Sequence, residues 1–176
     1  MPAVHLIPPS LDVADELLRF ETDNRAYFEA RINARPPAYY SAEGVRQAIE
    51  LAVQEAAQDK GYQFLVRNDA GELVGRVNLV GVRRTHFQMA ELGYRMAESA
   101  GGRGYATEAV RQVLAKAFGE LGLMRLEAVA RVGNEASIKV LQRNGFREFG
   151  RSSRSFLLGG VWHDRLHFEC RAAAMA

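Results

Sequence analysis

Apolar positions along the chain change their period twice. Leu11, Ala14, Leu17 and Leu18 recur at helical spacing behind Ser10, a cap candidate, and Asn24 to Arg31 reads as a second short helix stopped by Pro36 and Pro37. Ser41 opens a third, with Val45, Ile49, Ala52, Val53 and Ala56 on one stripe, ending near Gly61. On this reading the first sixty residues are helical. At Tyr62 the period shortens to that of strands. Gln63 to Arg67, a turn at Asn68-Asp69-Ala70-Gly71 and Leu73 to Arg83 predict a hairpin, and Phe87 to Met96 a third strand. Ala109, Val110, Val113, Leu114, Ala117, Phe118 and Leu121 then trace the buried face of a helix closed by Gly122. Leu126 to Arg131 alternates as a strand, Asn134 caps a helix running to about Asn144, and Phe146 returns to strand. Ser152 to Leu158 and Val161 to Cys170 form a closing hairpin about Gly159-Gly160.

Helices, then a meander, then a strand-helix-strand crossover, a helix and a hairpin make an α/β chain with a mixed sheet. The crossover predicts one parallel pair, third strand beside the Leu126 strand, in a mostly antiparallel sheet flanked by helices. At 176 residues and 48% hydrophobic the chain is expected to be one domain, 1–176. With 23 basic and 21 acidic residues its net charge of +2 argues for no nucleic-acid surface. The single cysteine, Cys170, allows no internal disulfide, and no apolar run reaches the ~18 to 20 residues that span a bilayer. A soluble protein of the reducing cytoplasm is expected, with no membrane partner.

The chemistry concentrates where the third strand ends at Met96 and gives way to Gly101, Gly102, Arg103, Gly104, Tyr105 and Ala106, directly before the amphipathic helix. Glycines turn the backbone sharply, and the first amides of a helix lack internal partners, so they can converge on an anion with the helix dipole behind them. The same glycines also suit an ordinary turn. The segment lacks the Lys and Ser/Thr of a Walker loop and does not read G-x-G-x-x-G, which points to a diphosphate ligand other than ATP or NAD.

With Glu91-Leu92-Gly93-Tyr94, the loop Gly102 to Ala109, and Asn134-Glu135-Ala136-Ser137 opening a helix that ends Arg143-Asn144-Gly145-Phe146, the chain resembles the GNAT superfamily of N-acetyltransferases. Within it the resemblance is to the Rim-type (RimJ/RimL) ribosomal-protein-alanine N-acetyltransferases, from about Asn24 to Phe168. It implies the acyl-CoA N-acyltransferase fold, acetyl-CoA as cosubstrate and an amine as acceptor. By the same resemblance the CoA contacts fall on Met96, Gly101, Gly102, Arg103, Gly104, Tyr105 and Ala106, with Asn134 and Ser137 beside the pantetheine arm. Gly101 stands where the family usually carries Gln or Arg, which implies weaker or more mobile cofactor binding.

Acetyl transfer from a thioester needs a neutral amine, donors for the carbonyl oxygen and a proton for the departing thiolate. Freeing an α-amine of pKa ~7.8 at pH 7 costs roughly 1 kcal/mol, against roughly 4.6 for a lysine near ~10.4. Glu91 is the candidate base, directly or through water; the competing reading pairs it with an arginine such as Arg76 or Arg131. In a regular strand Tyr94 points to the face opposite Glu91, so a bulge would be needed for both to serve one site. Ser137 either donates to the thiolate, as the resemblance implies, or simply supports the helix start, and Asn134 is first a helix cap.

The remaining candidates are weaker. His163 and His167 lack a carboxylate frame for metal, and none is expected. Cys170 has no activating neighbour. Trp162 either borders the acceptor or packs in the core. The expected acceptor is the N-terminal α-amine of a protein or peptide, a ribosomal protein by family. The alternatives are a small amine (polyamine, amino acid, amino sugar) or a non-catalytic acyl-CoA-binding regulator. An exposed strand edge at the closing hairpin suggests a homodimer.

Overall fold

The computed structural model describes residues 2–173. In chain order it contains β1 (Val4–Ile7), α1 (Ala14–Asp23), α2 (Arg25–Glu29), α3 (Ala42–Ala57), β2 (Tyr62–Asn68), β3 (Leu73–Arg83), β4 (Met89–Met96), α4 (Tyr105–Ala115), β5 (Arg125–Arg131), α5 (Glu135–Arg143), β6 (Arg147–Leu158) and β7 (Val161–Arg171). The strands form one seven-stranded sheet in the order β1-β2-β3-β4-β5-β7-β6. Every neighbour pair is antiparallel except β4 and β5, the parallel crossover pair expected from the strand-helix-strand order.

One expectation fails at the start of the chain. The first sixty residues are not all helical, because Val4–Ile7 pairs with Leu65–Asn68 as an edge strand. Four residues ahead of Pro8 and Pro9 are too short for periodicity to reveal; pairing with β2 supplies the missing partners. Ser10 makes no side-chain cap and leads into a short 3-10 turn, Leu11–Val13, before α1. Ser41, by contrast, caps α3, its hydroxyl accepting the Gly44 amide at 3.0 Å. The helix after the glycine loop ends in one wide π turn, Lys116–Glu120, closed by Gly122 at φ +61°.

Two layers of helix cover the sheet. Glu21 of α1 bonds Arg76 and Arg95, so α1 lies over the face that carries those side chains. Ser137 of α5 meets Tyr94, so α5, with α4 packed beside it, lies over the other. Ala109, Val110, Val113 and Ala117 are fully buried and join one apolar cluster with Val77, Leu79, Ala90, Leu126 and Phe168. Each such Val or Leu contributes roughly 1.5–3 kcal/mol on leaving water, which anchors the start of α4 against the sheet.

Candidate active site

The cavity arises from a defect in pairing. β4 and β5 share only three register pairs, Met89↔Arg125, Ala90↔Leu126 and Glu91↔Glu127, and beyond them both strands continue without a ladder. A cavity of about 310 Å³ opens there, walled by α2, the end of β4, the glycine loop and the first turns of α4 and α5. Met96 lines it, held in place by Gly75, where a Cβ would collide with the Met96 sulfur.

The loop supplies donors without side chains. After a 3-10 turn at Glu98–Ala100, Gly102 takes φ +73° and Gly104 φ +82°, left-handed conformations that favour glycine. The first helical bond of α4 runs from Glu108 N–H to the Gly104 carbonyl at 3.1 Å. The amides of Gly102 through Thr107 make no hydrogen bond within the described residues. Gly102, Gly104, Tyr105, Ala106 and Thr107 all line the cavity, so a row of unpaired donors at a helix N-terminus faces it. Gly101 also lines it, but its amide donates to the Glu98 carbonyl at 3.0 Å and its φ of −61° is ordinary for any residue. Arg103 is exposed and stands outside the cavity wall. Asn24 clamps the loop from behind, its side-chain oxygen accepting the Glu98 amide at 2.9 Å.

At the opposite wall, the Asn134 side chain accepts the Ser137 amide at 3.3 Å and thereby starts α5. That leaves the Ser137 hydroxyl free, and it lies 3.0 Å from the Tyr94 phenol oxygen. Both side chains line the cavity. Burial pushes the Tyr94 phenol up to about 12, only partly offset by the Ser137 hydroxyl, so it keeps its proton throughout the neutral range.

Glu91 sits elsewhere. The register from Glu91 to Met96 runs without a bulge against β3, so Tyr94 and Met96 share one face while Glu91, Gly93 and Arg95 share the other. Glu91 is exposed, outside the cavity wall, and forms no ion pair among the described residues. Arg76 is not its partner: that guanidinium donates to Glu21 at 2.7 Å and to Gln63 at 2.8 Å. Glu21 is fully buried and also receives Arg95 at 3.0 Å, and Arg95 lines the cavity. Burial draws the Arg95 guanidinium down to about 10, against the pull of Glu21, which leaves it charged at neutral pH.

Sequence reasoning missed the wall made by Tyr27 and Phe28 of α2 with Arg31 and Ile32 just after it, and the cations Lys139 and Arg143, which follow Ser137 along α5. The last two sit four residues apart on a helix whose cap was already legible, a signal that could have found them. Trp162 is 58% exposed on the closing hairpin rather than in the core. His167 bonds the Ser152 hydroxyl at 2.8 Å, and burial pushes the Cys170 thiol up. No group of three or more metal-ligating side chains occurs among the described residues, nor any helix long and apolar enough to cross a membrane.

The acetyltransferase (GNAT) domain model matches residues 4–147, which covers the sheet parting, the loop and all of α5. The chain belongs to the GNAT acetyltransferases. A probable N-acetyltransferase of Bacillus subtilis, YjcK, is 33% identical over 162 residues, covering 92% of this chain and 90% of the relative. Mycobacterium smegmatis RimJ, solved in complex with CoA-disulfide, is 27% identical and superposes with a TM-score of 0.89 over 98% of this chain and 83% of its own. The Vibrio fischeri ribosomal-protein-S5-alanine acetyltransferase shares the fold, with a TM-score of 0.90 at 23% identity, covering 97% and 92% of the two chains. As a GNAT enzyme the chain is an N-acetyltransferase, with acetyl-CoA as the acetyl donor.

Proposed function

We propose that this GNAT enzyme acetylates the N-terminal α-amine of a protein or peptide by direct transfer. The observation that carries the reading is the cavity itself, which joins a row of unpaired amides at one wall to a half-buried, protonated Tyr94 at another. A diphosphate fits the first, because those donors are fixed by backbone and have no other partner among the described residues; a departing thiolate fits the second. The likeness to RimJ and to the S5-alanine enzyme supports a protein N-terminus as acceptor. An α-amine also asks less of the base than a lysine, by roughly 3.5 kcal/mol at pH 7.

In this mechanism Met96, Gly102, Gly104, Tyr105 and Ala106 hold the cosubstrate, with Gly101 shaping the wall and Asn134 fixing the start of α5. Acetyl-CoA supplies an activated acyl carbon and a thiolate leaving group. The amine nitrogen forms the new C–N bond as the C–S bond breaks, and Tyr94 gives its proton to the sulfur, with Ser137 hydrogen-bonded to the phenol and able to replace that proton. Glu91 stands on the opposite face of the sheet, in the last pair before the strands part, and takes the amine proton through water. Acid and base thus lie on opposite faces of the sheet, which keeps them from neutralising one another.

Incubation with acetyl-CoA and a panel of peptides and small amines, following free thiol, tests the reading. Peptide α-amines should release thiol fastest. Fastest release with lysine side chains or polyamines would contradict it, and tight CoA binding without release from any amine would favour the regulator. The Glu91→Gln variant should lose the acidic limb of the kcat profile, and an unaltered profile would remove Glu91 from the mechanism.

A further inference from the structure

The strand registers place four arginines in one row. Arg76 pairs with Arg95 across β3 and β4, and Arg131 pairs with Arg165 across β5 and β7. β4 and β5 run parallel with Glu91 opposite Glu127, their last register pair, and side-chain alternation four residues further along each strand puts Arg95 and Arg131 on the same face as that pair, one on either side of the parting. The row therefore reads Arg76, Arg95, gap, Arg131, Arg165. One carboxylate serves it: Glu21 lies 2.7 Å from Arg76 and 3.0 Å from Arg95, both on the β4 side of the gap. The Arg131 side chain makes no ion pair and no hydrogen bond among the described residues, and its buried Nε has no partner there. The buried Nε of Arg76 is likewise unpartnered, on a side chain only 5% exposed.

Several cations sharing one anion, with buried N–H groups left over, leave the site short of negative charge. Arg95 lines the cavity next to Tyr94 in the chain, so the shortage sits where an acceptor amine must approach. A guanidinium fork suits a planar carboxylate. We propose that the acceptor carries a carboxylate close to its reactive amine and that this group lodges in the gap between Arg95 and Arg131. The inference rests on the acetyl-transfer reading and narrows it: an anionic acceptor is selected, and polyamines are repelled.

Two sources supply that chemistry, the α-carboxylate of a free amino acid and an acidic side chain near a peptide N-terminus. The test measures thiol release with Ala-Asp-Glu and Ala-Gln-Gln peptides of equal length, with free alanine and with spermidine, for the native enzyme, Arg131→Gln and Arg131→Lys. The native enzyme should favour the acidic over the Gln peptide by about tenfold or more in kcat/KM, the scale of one charge-assisted hydrogen bond. Arg131→Gln should collapse that ratio toward one and Arg131→Lys retain part of it. Free alanine used faster than Ala-Gln-Gln would assign the α-carboxylate, and the acidic peptide used faster than alanine the side chain. A native peptide ratio near one with free alanine no faster than Ala-Gln-Gln, a preference unchanged in Arg131→Gln, or preferred use of spermidine would overturn the inference while leaving acetyl transfer standing. Should no amine release thiol, the transfer reading fails, and the row is judged by equilibrium binding of the N-acetylated acidic peptide: tenfold weaker binding to Arg131→Gln upholds it, and equal binding removes it.

Discussion

The two flanks of the β4–β5 parting handle anions by different means. On the α4 side the donors are main-chain amides from Gly102 to Thr107, aimed by two left-handed glycines and needing no side chain. On the α1 side the charge comes from arginines gathered around one buried carboxylate, Glu21, and each can be removed by a single substitution. A backbone cradle tolerates change at its side chains, whereas a side-chain cluster gains selectivity at the cost of fragility. The first suits a cosubstrate common to a family, the second an acceptor particular to this chain.

The largest effect expected from breaking this contrast is at the cluster. Glu21→Gln leaves Arg76 and Arg95 without their shared anion, and loss of one partner of a buried ion pair costs about 3–5 kcal/mol. At roughly 2–4 °C per kcal/mol for a chain of this size, the melting temperature should fall by about 10 °C, measured by calorimetry. Next comes the proton donor. Tyr94→Phe should lower kcat about a hundredfold with little change in the acetyl-CoA KM, and Ser137→Ala should lower it less, since it removes a partner of the phenol rather than the phenol itself.

Gly101 sharpens the comparison from the other side. Its φ of −61° admits a side chain, and a Cβ there would lie 3.2 Å from the Glu98 carbonyl oxygen, a contact that a small shift relieves. Gly101→Arg should therefore tighten acetyl-CoA binding by about three- to tenfold through a charge-assisted contact, read by titration calorimetry. Gly102→Arg, forced into φ +73°, should weaken it.

The smallest effect concerns pH. The Arg111 guanidinium, helped by Gln112, holds the Glu108 carboxyl at about 2, well below its usual range. A depressed carboxyl stabilises the fold above its unfolded pKa and loses that contribution as pH falls from about 4.5 toward 2. Arg111 is half exposed, so solvent screening limits the difference to below about 1 kcal/mol, and Glu108→Gln should abolish that part of the acid slope in denaturant titrations.

How much of this was legible in the sequence follows the same division. β4, the glycine loop, α4 and the Asn134 cap are written in local signals, turn residues and apolar period, and they read correctly. The four-residue strand β1 carries too few positions for a period, and its identity comes from β2. The arginine row is invisible for a stronger reason: Arg76, Arg95, Arg131 and Arg165 are far apart in the chain, and only strand register sets Arg76 beside Arg95 and Arg131 beside Arg165. The placement of Glu91 opposite Tyr94 was legible from alternation alone, while the α2 wall depended on how a short helix packs.

The central claim is that the amides opening α4 hold the diphosphate of the cosubstrate. Titrating CoA into uniformly nitrogen-15-labelled protein and following each backbone amide tests it most directly. The account predicts large, saturable shifts and slowed hydrogen exchange at Gly102 through Thr107, with little change at the already bonded Gly101 amide. Binding that leaves Gly102 through Thr107 unmoved while perturbing amides elsewhere would contradict it.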